Sequence, residues 1–249
     1  MSISDYNFGS SKRLRIITIC LSCLFLVQRM NGQNTSIGTW NFINVKLKIS
    51  DKITLFSEAQ LRSLAFYDDF HYYEYKGGIS WNAKQGLNLS LGMGDYDTYL
   101  EGGTFLNPKN NDEFRLWPML SLNQKIGRFN IEQRYRYEMR FTSKGYRNRY
   151  RYRINLSYPF GKVKEDLFPF VVNVNNELFF TNNEPYFERN RASINFGVRL
   201  SPIAIVQLGY LHQFDYKIND ETGRDFVVVG INLEFSTLEH KMSLNPEGS

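Results

Sequence analysis

The sequence predicts an all-β protein, a closed antiparallel transmembrane β-barrel of about twelve strands, with ten as the alternative. Apolar or aromatic residues alternate with polar residues through most of the chain, as in strands whose two faces meet different surroundings. The alternating segments reach about 13 residues, whereas strands in soluble proteins average about five or six. Aromatic residues make up 16% of the 249 residues, which is typical of extensive interfacial surface.

The N-terminus predicts a secretory signal peptide over residues 1–32. Basic residues precede an apolar run from Ile16 to Val27, which is too short to cross a bilayer as a helix. An uncleaved anchor is the alternative, because Met30 stands where a small residue is usual before the cut. Loss of residues 1–32 would bring the formal net charge from +5 close to neutral, so charge indicates no particular partner.

Both cysteines, Cys20 and Cys23, lie inside this apolar run. The rest of the chain has no thiol, which excludes a disulfide-stapled fold. Lipidation at Cys23 is disfavoured because Cys20 replaces the branched aliphatic residue expected three positions earlier. No linker or change of composition divides the remainder, so we predict one barrel domain over residues 33–235 and a polar C-terminal tail over residues 236–249.

The pattern predicts eleven strands in order, separated by turn-forming residues. Bacterial single-chain barrels have an even number of strands. We therefore expect one more strand, either within Thr98–Leu106 or before Trp40, and an exposed loop over Asp97–Asp112. The predicted strands lie near residues 39–49, 53–66, 71–81, 87–97, 113–126, 129–141, 146–158, 168–180, 188–200, 203–214 and 225–235.

The clearest hairpin spans residues 129–158, where tyrosines on one face alternate with arginines on the other. An arginine facing lipid at mid-depth costs about 2–4 kcal/mol, so the tyrosine face is predicted to meet lipid and the arginine face the lumen. The alternative is a soluble periplasmic β-sandwich binding module that buries the tyrosines and exposes the arginines to water.

The inward positions of this hairpin and of other strands define a predicted lumen charge network. Its arginines outnumber its carboxylates, which favours an anionic ligand or permeant. The alternative is a network of paired charges that only fills the barrel. The network consists of Glu58, Arg62, Glu74, Glu132, Arg134, Arg136, Glu138, Arg140, Arg147, Arg149, Arg151, Arg153, Glu177 and Arg191, and Lys76, Arg115, Arg199 and Glu234 are further inward candidates.

These features predict a porin-like protein of unknown specific activity, either structural or a narrow channel. A lipid-modifying outer-membrane enzyme is the alternative, but no serine motif accompanies His212, the histidine placed on the lipid side. No catalytic residue is therefore assigned. Asp95 and Asp97 are interpreted as solvated loop residues, no metal-ligand spacing is found, and no cofactor or metal is expected.

Several short motifs together give the chain a family resemblance over about residues 38–235. It resembles the Bacteroidota outer-membrane β-barrel family catalogued as domain of unknown function 2490. The resemblance implies an outer-membrane barrel and no established activity. The chain departs from the usual barrel ending, since Phe235 is followed by a polar tail. The motifs are the early Trp40 strand, 58–62, 134–138, 149–153, 176–180 and 188–191.

The expected localisation is the outer membrane, reached by export through the N-terminal signal peptide. Outer-membrane lipid and the barrel assembly machinery are then the expected partners, together with a possible small anionic ligand. Nucleic acid is not expected, because arginines and tyrosines point to opposite faces and cannot act on one strand of nucleic acid. The sequence leaves open whether the lumen is open and how many chains assemble.

Overall fold

The computed structural model describes residues 36–104, 107–163, 167–216 and 222–238. The predicted signal peptide and residues 239–249 of the predicted tail lie outside these ranges. The described residues form eleven strands: β1 Gly38–Lys48, β2 Ile53–Ala65, β3 Asp68–Lys84, β4 Leu87–Thr104, β5 Asn107–Ile126, β6 Phe129–Thr142, β7 Gly145–Phe160, β8 Phe170–Thr181, β9 Phe187–Ser201, β10 Ala204–Asp215 and β11 Thr222–Ser236.

The strands pair in chain order, and β1 also pairs with β11, which closes the sheet into a barrel. Consecutive strands are antiparallel, whereas β1 and β11 are parallel, with Asn41 opposite Val229. The described residues therefore form eleven strands where about twelve were predicted. An even number is required only when every neighbouring pair is antiparallel, and a parallel ladder between the first and last strands closes an odd number.

The stretch proposed as an additional strand belongs instead to β4. β4 is paired with β3 as far as Thr98, and its pairing with β5 continues past that point to Thr104, opposite Asn107. The predicted exposed loop is therefore mostly the projecting hairpin of β4 and β5, because its two arms satisfy each other's backbone hydrogen bonds. Of the other proposed location, before Trp40, residues up to 35 lie outside the described ranges.

We call the end of the barrel where β1 begins the upper end and the opposite end the lower end. The β4–β5 hairpin projects at the upper end. Short turns close the lower end, and the turn between β5 and β6 has Gly127 at φ +58°, a left-handed conformation that favours glycine. Successive side chains of a strand point to opposite sides, so each strand has one face outward and the other toward the lumen.

The outward face is apolar and exposed. Leu91, Met93 and Ile194 are each more than half exposed in the isolated chain. Aromatic side chains collect near both ends: Phe141 lies 5.1 Å from Tyr146 near the upper end, and Phe129 lies 4.9 Å from Tyr158 near the lower end, measured between ring centroids. An apolar band between two aromatic girdles is the pattern of barrels that cross membranes.

The inward face is polar except for a few large side chains. Trp117 and Phe179 point into the lumen and are fully buried, and Trp40 is almost so. Trp117 lies against Gly92 of β4, where an added Cβ would come within 2.6 Å of its indole ring. The lack of a side chain at Gly92 makes room for this ring. No helix among the described residues is long and apolar enough to cross a membrane.

Candidate functional site

The predicted charged residues come together in the lumen because each lies on the inward side of its strand. All fourteen residues of the lumen charge network are in the described part of the chain. Twelve of them line one central cavity of about 900 Å³, and Glu132 and Glu138 pair with arginines that line it. Glu113, Glu188 and Asp215 were not predicted, although each carries paired charge in the lumen or at its upper mouth.

The middle of the network is centred on Glu138, which is completely buried. Its carboxylate accepts hydrogen bonds from Arg149, at 2.7 Å from Nε, and from Arg151, at 2.6 Å from Nη1. Arg151 also donates to Glu177 at 2.7 Å. Strands β6, β7 and β8 supply these groups, so the network ties three neighbouring strands together across the lumen face.

Toward the upper end, Glu113 joins two arginines from neighbouring strands. Its carboxylate accepts from Arg115 Nε at 2.6 Å and from Arg140 Nη2 at 2.8 Å. All three side chains are buried. Glu113 stands two residues before Arg115 in β5, so the period of two that placed Arg115 inward could also have identified Glu113.

Strands β2 and β3 hold a second cluster. Arg62 Nη2 donates to Glu74 Oε2 at 3.0 Å, and Lys76 lies 2.5 Å from carboxylate oxygens of both Glu74 and Glu58. The Arg62 guanidinium lies 3.4 Å from the Trp40 ring centroid. Paired charges and a stacked ring reduce the cost of removing this arginine from water.

The lower part of the lumen is lined by neutral polar side chains, which the sequence analysis did not single out. Asn175 donates to Ser193 at 2.7 Å, and Asn195 donates to the same hydroxyl at 3.1 Å. These residues alternate with outward apolar ones in β8 and β9, so the same periodicity could have identified them. The lumen thus changes from charged in its upper and central parts to amide-lined below.

Four arginines surround the buried ring of Phe179. The guanidinium carbons of Arg151 and Arg191 lie 4.6 and 4.8 Å from its centroid, and those of Arg149 and Arg189 lie at 5.3 and 5.9 Å. Cations attract the negative face of an aromatic ring, most strongly where water is excluded. An inward phenylalanine between polar neighbours is compatible with the period-two pattern, which gives no indication of this cluster.

The central cavity is lined from Lys46, Asn155 and Asn232 near the lower end to Arg147 near the upper end. A wider vestibule of about 1140 Å³ lies at the upper mouth and shares Arg62, His71, Arg147 and Arg189 with it among others. Fourteen lysines and arginines but five glutamates line the central cavity. Adding Glu132, Glu138 and Asp215, which pair with lining arginines, still leaves an excess of six cations.

His212 faces outward near the upper end, as the alternation indicated. Its Nδ1 lies 2.7 Å from Asp225 Oδ1, which also accepts a hydrogen bond from Tyr210 at 2.5 Å. Among the described residues no serine, threonine or cysteine is hydrogen-bonded to His212. The arrangement resembles two members of a hydrolase triad without the nucleophile.

The aspartates that we interpreted as solvated loop residues lie in β4. Asp97 is 2% exposed and 2.8 Å from Lys109, whereas Asp95 is exposed. Their carboxylate oxygens and that of Asp112 lie within 4.8 Å of one another. Lys109 also lies 3.4 Å from Asp112, so one ammonium group contacts two of the three carboxylates of this cluster.

A family model described as "Protein of unknown function (DUF2490)" matches residues 37–224. The chain belongs to this family. The match covers the whole barrel up to the start of β11, and it agrees with the resemblance carried by the short motifs. The family name assigns no activity.

Among solved structures, the chain is similar to an anion-selective porin from Comamonas acidovorans. The two are 12% identical with a TM-score of 0.37, over 73% of this chain and 57% of the porin. The chain therefore spans little more than half the length of that porin. The stated anion selectivity is that of the porin. No curated protein matches the chain by sequence.

Proposed function

We propose that this family member is an outer-membrane β-barrel whose lumen forms a narrow aqueous path with a preference for anions. The observation that carries the proposal is the central cavity, which extends along the lumen and is lined by more cations than carboxylates. A pore with excess fixed positive charge lowers the energy of anions inside it relative to cations.

The distribution of side chains around the wall supports a membrane environment. Exposed aliphatic residues cover the outside between two sets of aromatic residues, and the charged groups are inside. In water this exterior would be an unusually large apolar surface for a monomeric protein. In a bilayer the same surface meets hydrocarbon, and every backbone group of the wall pairs within the closed sheet. Export to the outer membrane and assembly by its insertion machinery follow as part of the proposal.

The paired charges set the width of this path. Buried ion pairs around Glu138 and Glu113 join opposite charges from adjacent strands and hold their side chains in the lumen. Such pairs give geometric specificity because the guanidinium group donates in a fixed fork. We therefore propose a narrow path for small anions and a structural role for the central ion pairs.

Two cations at opposite ends of the cavity are suited to test the proposal. Lys46 and Arg147 line the cavity, are exposed, and make no ion pair with a described residue. Their replacement is expected to leave the central ion pairs in place. Lys46→Glu and Arg147→Glu together should shift the preference toward cations.

The measurement is the reversal potential of single channels in planar bilayers under a KCl gradient. At about 1 M salt the Debye length is about 3 Å, so charges on the outer surface contribute little. The unmodified protein should prefer chloride, and Arg128→Glu, in the turn between β5 and β6, should retain that preference. A non-conducting or cation-selective unmodified protein would refute the channel.

A further inference from the structure

Arg191 is a buried cation of the lumen that makes no direct contact with a carboxylate among the described residues, although Glu177 of β8 lies opposite it in the strand register. It is 8% exposed, and its Nε donates to the neutral Gln213 Oε1 at 2.8 Å. Its guanidinium carbon lies 4.8 Å from the centroids of both Trp40 and Phe179. Among the described residues it makes no ion pair, although it lines the central cavity.

The nearest carboxylates are committed to other arginines. Glu177 Oε1 lies 2.7 Å from Arg151 Nη2 and 3.6 Å from Arg134 Nη2. Asp215 is paired with Arg189. A buried charge without a partner is strongly unfavourable, and stacking on two rings compensates only part of the lost hydration. An anion from solution that occupied the cavity beside Arg191 would supply the missing charge.

The wall next to Arg191 is apolar. Leu211 precedes Gln213, the partner of Arg191, by two residues along β10, and Leu211 is opposite Phe226 of β11. Val228 is opposite Trp40 across the parallel β1–β11 ladder. Trp40, Leu211, Phe226 and Val228 form one buried cluster, against which Phe42 packs.

This apolar cluster lies at the cavity and not in a separate core. Trp40, Phe42, Leu211 and Val228 line the central cavity together with Arg191, and Phe226 lines the vestibule above. The opposite wall, formed largely by β6 and β7, carries the paired arginines. The lumen at this level therefore has a cationic side and an apolar side.

We propose that this part of the lumen binds a small organic monocarboxylate with an aromatic or alkyl body. The carboxylate lies on Arg191, and the body lies against Leu211, Val228 and Phe42. A planar guanidinium donates in pairs to a carboxylate, which gives the head its orientation. The inference rests on the proposed function, because the ligand reaches Arg191 through the aqueous lumen.

An apolar body distinguishes this ligand from an inorganic anion. A small hydrated anion needs polar donors on every side, and the side chains of Leu211, Val228 and Phe42 offer none. An aromatic or alkyl body instead gains from removing its own surface and that of the cluster from water. The site should therefore require both parts of the ligand, the charge and the apolar body.

The experiment compares three probes by calorimetric titration of the full chain refolded in detergent micelles. Benzoate carries both parts, acetate the charge alone, and benzyl alcohol the ring alone. We expect the Kd for benzoate to be at least tenfold lower than for either of the others. Equal affinities for benzoate and acetate would overturn the proposal, as would equal affinities for benzoate and benzyl alcohol.

Two variants separate the contributions of the head and the body. Arg191→Gln should weaken benzoate binding at least tenfold and leave benzyl alcohol unchanged. Leu211→Asn should weaken benzoate binding and leave acetate unchanged. Arg128→Gln is the matched control outside the lumen, and each variant must show the same heat-modifiable migration as the unmodified protein. Full benzoate affinity in folded Arg191→Gln would overturn the proposal. If Leu211→Asn does not fold, Val228→Ser takes its place.

Failure of this proposal is distinguishable from failure of the channel. A chloride-selective channel that does not prefer benzoate to acetate retains the proposed function and excludes the monocarboxylate site. A protein that binds benzoate through Arg191 without conducting retains the site and excludes the channel.

Discussion

Glu138 shows at the residue scale how the lumen tolerates so many arginines. Its buried carboxylate binds two arginines at once, Arg149 through Oε2 and Arg151 through Oε1. The alternation in the sequence indicated that these three side chains face the same way. It could not indicate that one glutamate serves two arginines, because β6 and β7 contribute them from a cross-strand register that the linear pattern leaves unspecified.

We expect Glu138→Gln to lower the free energy of unfolding by about 3–5 kcal/mol, because it removes the carboxylate shared by three buried arginines, Arg136, Arg149 and Arg151. Arg136 has no other ion pair among the described residues. The measurement is urea unfolding of the barrel in lipid vesicles. Glu132→Gln is the control: Glu132 has one ion pair, with Arg153, and is about one-third exposed, so its replacement should cost at most about 1 kcal/mol. Equal losses in the two variants would show that burial of the network contributes nothing.

At the element scale, the strands β3, β4 and β5 are clearly longer than the alternation indicated. We predicted strands near 71–81, 87–97 and 113–126, whereas the structure has Asp68–Lys84, Leu87–Thr104 and Asn107–Ile126. The added residues of β4 and β5 pair with each other above the barrel wall, and those of β3 pair with β2 and with the start of β4. Polar residues there face water on both sides, so hydrophobic alternation is lost while backbone pairing continues.

The pairing of β1 with β11 is the element-scale feature that the sequence analysis did not predict. An additional strand between them would make every pair antiparallel, as the even-number rule led us to expect. The structure pairs the two strands directly over the whole length of β1, from Gly38 opposite Phe226 to Lys48 opposite Ser236. Backbone hydrogen bonds close the seam whether the neighbours are parallel or antiparallel.

A disulfide tests this seam. Asn41→Cys with Val229→Cys should cross-link efficiently in the folded barrel, because directly opposite residues lie within disulfide range. The chain would carry Cys20→Ser and Cys23→Ser to exclude other thiols, and non-reducing gel migration after mild oxidation gives the readout. Asn41→Cys with Ile231→Cys, displaced by two residues, is the control. No cross-link in the first pair would indicate a strand inserted between β1 and β11.

At the scale of the whole molecule, the polar and apolar surfaces are reversed relative to those of a soluble protein. The exterior carries the aliphatic side chains, and the lumen carries the charges and amides. The alternative soluble sandwich would place the tyrosines in a sealed core, yet Tyr135, Tyr146 and Tyr150 are about half exposed on the outside. This arrangement fits the proposed hydrocarbon surroundings better than water.

Leu91→Arg distinguishes a bilayer from water as the surroundings of this wall. Leu91 is 51% exposed on the outward face of β4. In a bilayer the arginine should cost about 2–4 kcal/mol of unfolding free energy near mid-depth, and at a girdle about 0–1 kcal/mol. Ile126→Arg, at the lower rim, is the control for depth. On a water-exposed surface, both changes would stay within about 0.5 kcal/mol, which unfolding titrations in vesicles would detect.

Heat-modifiable migration provides a second whole-molecule prediction. A closed sheet in which every strand is paired on both sides has no edge from which SDS can open it. The unboiled protein should therefore migrate ahead of the boiled protein and fractionate with membranes. Recovery as a soluble periplasmic protein, with one migration before and after boiling, would contradict the membrane barrel.

The sequence by itself determined the strand segments and the face on which each side chain lies, because a strand alternates its side chains with period two regardless of its neighbours. The parallel pairing that closes the barrel, the partners of each carboxylate and the position of Arg191 beside an apolar wall were decided only by the tertiary structure. These depend on the register between strands that are distant in the chain, and a shift of two residues along any strand would preserve the pattern while changing every pair.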